Sequence, residues 1–257
     1  MIYGFIGLGN MASAILRGMR ESGKFAQDTL AGYDIAADRA WELDMDLICE
    51  SETEVCEKAD VLVLAVKPQM MGDVLAKIAP RDKPVITIAA GKETAFYEAA
   101  VPGIHVVRAM PNINAKCLSA VTALCAGQYA GETELQLAES IFSTVGRALR
   151  VPERLFSAFS AVASASPAFS YMYVDALARA GVKAGMPRAL ALEAAAASVW
   201  GSARLIMDSG EHPIQLMDQV TSPGGTTIEG VEALKEFGFE NAVHKAIAAV
   251  IEKDKKL

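Results

Sequence analysis

The chain has 257 residues, 52% of them hydrophobic and only 21% charged, with a mean hydropathy of +0.26. That composition excludes intrinsic disorder, which goes with low hydrophobicity and high charge. A formal charge of −7 and a pI near 5.1 argue against a nucleic-acid partner, which would need a concentrated basic face. Residues 155–174 form an uncharged run about as long as a membrane span. Five serines, Pro167 and much alanine within it make its transfer into lipid weak, so it is read as a buried helix of a soluble protein. Met1 leads straight into an apolar segment with no basic region or cleavage site, so no secretory signal is expected and the protein is read as cytoplasmic. Cys49, Cys56, Cys117 and Cys125 lack metal-ligand spacing, and His105, His212 and His244 are scattered, so no metal centre is expected.

In chain order, short apolar runs at residues 2–6, 29–33, 61–66, 85–89, 104–108 and 121–125 alternate with segments suited to helices or turns. This is βαβ rhythm. Runs such as Val61-Leu62-Val63-Leu64-Ala65-Val66 are apolar on both faces, which implies a mostly parallel, doubly wound sheet covered on both sides. Ligands of such sheets bind at the carboxyl ends of the strands. Beyond a break near Val151-Pro152 the pattern turns helical, giving two domains, 1–150 and 151–257. Helices are expected over 153–180, bent at Pro167, over 187–207, after Ser222, and in a last segment ending at residues 253–256. The second of these is apolar nearly all round and must be buried. A lobe of this size has little interior to hide it, so a partner chain is the expected cover.

Gly7-Leu8-Gly9-Asn10-Met11-Ala12 follows a strand and opens a helix. Gly7 permits the tight turn, Gly9 lets a pyrophosphate approach the backbone, and Ala12 allows close helix packing, with the helix N-terminus facing the phosphates. Asp34, ending the second strand, can accept hydrogen bonds from an adenosine ribose and repel a 2′-phosphate, which favours NADH; Arg39 nearby keeps NADPH open. Ala65-Val66-Lys67-Pro68 and Ala89-Ala90-Gly91 end strands on the crevice side, and Asn112 offers an amide towards the nicotinamide end. The segment Ser222-Pro223-Gly224-Gly225-Thr226-Thr227 combines two glycines with flanking hydroxyls ahead of a helix, a nest of N–H donors suited to a carboxylate.

These blocks, with residues 220–228 above all and the upstream Glu211-His212-Pro213, resemble the pyrroline-5-carboxylate reductases over essentially the full length. The resemblance implies an N-terminal Rossmann domain, an all-α C-terminal dimerisation domain with helices interleaved between subunits, and hydride transfer from NAD(P)H in the last step of proline biosynthesis. It implies that Thr227 contacts the substrate ring nitrogen and that Ser222, Gly224, Gly225 and Thr226 meet its carboxylate. The chain departs from the family pattern at Ile113-Asn114, where Thr-Pro is usual, at Leu118 and Ala120, where glycines are usual, and at Ala163-Ser164-Ala165-Ser166 in place of Ser-Gly-Ser-Gly. Two other readings compete. One is a nucleotide-binding relative without turnover, suggested by these departures. The other is a β-hydroxyacid dehydrogenase, which depends on an interdomain lysine, whereas no lysine occurs here between Lys116 and Lys183.

Overall fold

The computed structural model describes residues 1–36, 38–80 and 82–254, which fall in two compact units: those up to 164 together with 253–254, and 165–252. Unit 1 is built on an eight-stranded sheet. Its strands are β1 (Ile2–Ile6), β2 (Thr29–Tyr33), β3 (Leu47–Ile48), β4 (Val61–Leu64), β5 (Pro84–Thr87), β6 (His105–Met110), β7 (Ala120–Ala126) and β8 (Gly146–Arg150), in the spatial order β3-β2-β1-β4-β5-β6-β7-β8. The first six are mutually parallel; β7 runs antiparallel to β6, and β8 parallel to β7. The reversal follows from the connection. A short 3₁₀ segment, Ile113–Cys117, joins β6 to β7 where a parallel neighbour would need a crossover helix.

Alternation within the strands fills two cores. Tyr3, Phe5, Val61 and Val63 pack on one face with α1 (Asn10–Glu21) and α6 (Glu132–Phe142). Ile6, Leu62 and Leu64 pack on the other with α3 (Glu52–Lys58), α4 (Met71–Ile78) and α5 (Thr94–Ala100). Both faces are therefore dry, which is why these strands read as unbroken apolar runs. A short α2 (Asp38–Glu42) follows β2. Chain order carries β1, β2 and β3 outward in one direction and then returns to lay β4 on the other side of β1. The carboxyl ends of β1 and β4 are thus the point where strand order reverses.

The unit reaches past Val151-Pro152. Phe156 of α7 (Phe156–Phe159) is buried against Ala123 and Cys125 of β7. Glu153 accepts hydrogen bonds from the Thr94 amide (2.9 Å), the Thr94 hydroxyl (2.7 Å) and Arg108 Nη1 (2.9 Å), while the Arg108 guanidinium lies over the Phe156 ring. The expected single helix over 153–180 is instead a 3₁₀ turn, α7, a π-helical stretch Ser160–Ala165, and α8 (Ser166–Lys183). Pro167 explains part of this. It has no N–H to give the carbonyl of Ala163 four residues back, and Asn112 Nδ2 donates to that oxygen at 2.8 Å.

Unit 2 holds α8 with α9 (Arg188–Ser209), α10 (Pro213–Val220), α11 (Thr226–Glu236) and most of α12 (Phe239–Asp254). The final expected helical residues Lys255 and Lys256 lie outside the described ones. Small side chains let α8 and α9 approach closely, with Ala178 against Ala191 and Ala195. Little else is covered. Only Ala191 and Ala195 of α9 are buried, and Trp200 (66%), Met172 (76%) and Phe237 (86%) stand in the open. In the single chain the second helix is thus largely uncovered, because this unit alone has too few apolar surfaces to cover it; the expected cover is a partner chain. Among the described residues α9 is the one helix long and apolar enough, by length and composition, to cross a membrane.

Burial pushes Glu153 up, but its bonds from Thr94 and Arg108 outweigh that and hold it below the ordinary carboxylate range. Its stabilisation is therefore complete above the ordinary value and is lost as pH falls through the lower folded-state value. Glu153→Gln should cost about 2–3 kcal/mol at pH 7, by leaving the nearly buried Arg108 unpaired. The loss, measured by denaturant titration, should shrink towards pH 3.

Candidate active site

The turn after β1 is fixed by a collision that only glycine avoids. Gly7 has φ +90°, and a Cβ there would stand 2.8 Å from the backbone of Ala65 at the end of β4. Its N–H donates to Tyr33 O at 2.9 Å, tying β1 to β2. Gly9, which caps α1 without any side-chain bond, is different: a Cβ there meets nothing within 4 Å. The space beside Gly9 is the open cradle a pyrophosphate requires, at the start of a twelve-residue helix with no side-chain cap among the described residues. Leu8 and Ala12 face the core and Met11 packs against it, so what this segment offers a ligand is its backbone. Asn10 opens α1.

A cavity of about 210 Å³ lies beside this turn, lined by Gly7, Gly9, Asp34, Ala65, Val66 and Lys67, with Ile6, Tyr33, Ile35, Glu52, Met70 and Val74 completing it. Six of the sequence-derived residues thus share one space. Asp34 is held by two backbone donors, Leu8 N to Oδ2 at 2.7 Å and Ala36 N to Oδ1 at 2.9 Å, which aims it at the turn. Arg39 is engaged nearby. It donates to Leu8 O from Nε and Nη2, to Ser13 Oγ from Nη2, and to Glu42 from Nη1 at 2.5 Å. Lys67 is exposed, with no ion-pair partner among the described residues.

Further along the strand ends, Pro68, Ala90 and Gly91 border a second space, and Ala89, Ala90, Gly91, Pro111 and Ser164 a third, of about 130 Å³. Asn112 is only 5% exposed; its Nδ2 is spent on Ala163, and Oδ1 has no partner among the described residues. It joins the end of β6 to the π-helical stretch, a link the sequence reading missed. Leu118, where glycine is usual in the family pattern, takes a left-handed conformation (φ +55°). This is the backbone geometry a glycine would adopt without strain.

In unit 2, Ser222, Pro223, Gly224 and Gly225 form a turn closed by Gly225 N to Ser222 O (3.0 Å), with Gly224 at φ +67°. Gly225 then starts α11 with no side-chain cap, leaving the first-turn amides without a side-chain partner among the described residues, and Thr226 and Thr227 are exposed there. Burial pushes the Cys125 thiol up to about 12, and Cys49 and Cys56 are also raised by burial, so these are no nucleophiles. Among the described residues no three His, Cys, Asp or Glu side chains gather into a metal-binding group.

A doubly wound sheet with a glycine-turn cavity at its reversal point, followed by a helical unit, defines the class as a dinucleotide-dependent oxidoreductase. Residues 2–91 match the family model described as NADP oxidoreductase, coenzyme F420-dependent, and residues 153–257 match that for pyrroline-5-carboxylate reductase dimerisation. The chain is 37% identical to the pyrroline-5-carboxylate reductase of Methanosarcina acetivorans, over 99% of this chain and 97% of that one. It superposes on the crystal structure of 1-pyrroline-5-carboxylate reductase from Streptococcus pyogenes with a TM-score of 0.89, at 32% identity and over 100% and 99% of the two chains. On the Plasmodium falciparum pyrroline carboxylate reductase, solved with NADP bound, it superposes with a TM-score of 0.87, at 28% identity and over 100% and 97%. The chain belongs to the pyrroline-5-carboxylate reductase family.

The two glycines of the turn should separate stability from binding. Gly7→Ala should lower stability by about 2–4 kcal/mol, through overpacking and backbone strain. Gly9→Ala should melt within a degree or two of wild type yet lose at least about tenfold in dinucleotide affinity by calorimetry.

Proposed function

We propose that the protein reduces the C=N bond of 1-pyrroline-5-carboxylate to L-proline with NAD(P)H, the last step of proline biosynthesis. The observation that carries this reading is the uncapped start of α11 behind the Ser222 to Gly225 turn. First-turn amides without a side-chain partner among the described residues and the positive end of the helix dipole suit a small carboxylate. Ser222, Gly224, Gly225 and Thr226 hold that carboxylate, and the Thr227 hydroxyl orients the ring nitrogen, directly or through water.

A bound reduced nicotinamide supplies the hydride that adds to C5 of the imine. With the ring nitrogen already protonated, that carbon is electrophilic without help from a protein acid, and the residues contribute by positioning. Gly7, Leu8, Gly9, Asn10, Met11 and Ala12 present the turn and helix start to the pyrophosphate, and Asp34 takes the ribose. Ala65, Val66, Lys67 and Pro68 wall the crevice, and Ala89, Ala90, Gly91 and Asn112 frame its nicotinamide end. NADH is the preferred donor in this reading: Asp34 repels a 2′-phosphate, while the guanidinium of Arg39 is already spent on Leu8, Ser13 and Glu42. Residues 1–150 bind the nucleotide, and 151–257 bind substrate and pair with a second copy. The exposed apolar faces of α8, α9 and α11 support the pairing, as does the match of 153–257 to a dimerisation model.

Purified protein given pyrroline-5-carboxylate should oxidise NADH with a higher kcat/KM than NADPH. Asp34→Ser should move that ratio at least about tenfold towards NADPH, since like charges no longer meet. Thr227→Ala should lower kcat about tenfold or more while dinucleotide affinity holds. Light scattering should find at least two chains per particle. Absence of turnover with either nucleotide would favour the nucleotide-binding reading without catalysis.

A further inference from the structure

The structure assigns a cofactor-recognition role to Glu52: its carboxylate accepts a hydrogen bond from the 6-amino group of the adenine ring. The inference rests on the dinucleotide reading above and deepens it at the adenosine end. Glu52 lies just beyond β3, at the start of α3, and lines the same cavity as Gly7, Gly9 and Asp34. It is only 8% exposed, an unusual place for a carboxylate. Lys77 Nζ donates to Oε1 at 2.9 Å and is the only side chain that donates to it among the described residues. Lys77 itself stands outside, 55% exposed, so the pair is anchored at the surface while the carboxylate borders the cavity.

Apart from Asp34, Tyr33 and Lys67, the other side chains lining the cavity are apolar. Ile35, Val66, Met70 and Val74 suit the faces of a flat aromatic ring and offer no hydrogen bonds through their side chains. The adenosine half of a dinucleotide has three donor groups: the two ribose hydroxyls and the 6-amino group. Asp34, fixed by Leu8 and Ala36 beside the glycine turn, is committed to the ribose. The donor left for a second acceptor in this space is the amine. Burial pushes Glu52 up, but the hydrogen bond from Lys77, the one from its own backbone amide and the Lys77 charge together outweigh it and hold the carboxyl below its ordinary range. At neutral pH the group is therefore an acceptor only, matched to an amine and mismatched to a ring carbonyl.

The test uses reduced nicotinamide hypoxanthine dinucleotide, in which the amine is replaced by a carbonyl, against NADH, with both affinities measured by calorimetry on the full chain. Wild type should bind NADH at least about tenfold more tightly, the worth of one charge-assisted hydrogen bond. In Glu52→Gln, whose amide can donate to the carbonyl, the ratio should fall close to one. In Lys77→Met, which keeps the carboxylate, it should stay at tenfold or above. If Glu52→Gln fails to fold, Glu52→Asp, which withdraws the carboxylate by one methylene, should lose most of the discrimination. A wild-type ratio near one, or the same ratio in wild type and Glu52→Gln, overturns the role of Glu52. Failure of wild type to bind either nucleotide overturns the dinucleotide reading itself.

Discussion

The contact between the turn after β1 and the end of β4 governs this molecule's chemistry. Gly7 sits against the backbone of Ala65 with no room for a side chain, because β1 and β4 are hydrogen-bonded neighbours and both chains leave the sheet at the same place. That close approach is the geometric meaning of a reversal in strand order. It opens the helix α1 at the strand ends, holds Leu8 within reach of Asp34 and Arg39, and leaves the space beside Gly9 clear. A bulkier residue at position 7 would push the turn away from Ala65, and the cavity from Gly7 to Glu52 would lose its shape.

A second fixed point lies at the far end of the sheet. Pro167 leaves a helical carbonyl without its usual donor, and Asn112, at the end of β6, satisfies it. Arg108, on the same strand, pairs with Glu153 and covers Phe156. Both contacts fasten the segment after β8 to β6. The cost of an unpaired buried polar group or charge makes each of them specific, where apolar contact alone would permit sliding.

Much of this was legible in the sequence, and the reasons differ by element. The six apolar strands could be read because both faces of the sheet are dry, so their pattern is continuous. β3 escaped because it has two residues, and β8 because its Gly-Arg-Ala-Leu-Arg pattern belongs to a half-exposed edge. The glycine turn could be read because steric exclusion leaves a mark on residue choice. The bend at 153–180 was read only in part: proline marks where a helix loses a donor, but the π-helical stretch before it depends on a partner from β6. Glu52 left no signal, since an acidic residue opening a helix is common and only the tertiary cavity sets it apart. The exposure of α9 reflects the reverse limit, an apolar surface that one chain by itself leaves uncovered.

In the proposed reading, the space between the glycine turn and Glu52 receives the adenosine half of a nicotinamide dinucleotide. A crystal structure of the full chain with NADH tests it directly. The account predicts pyrophosphate density over the start of α1 beside Gly9, ribose hydroxyls on Asp34, and the adenine ring between Ile35 and Val66. An ordered dinucleotide that leaves the cavity beside Gly9, Asp34 and Glu52 empty would contradict it.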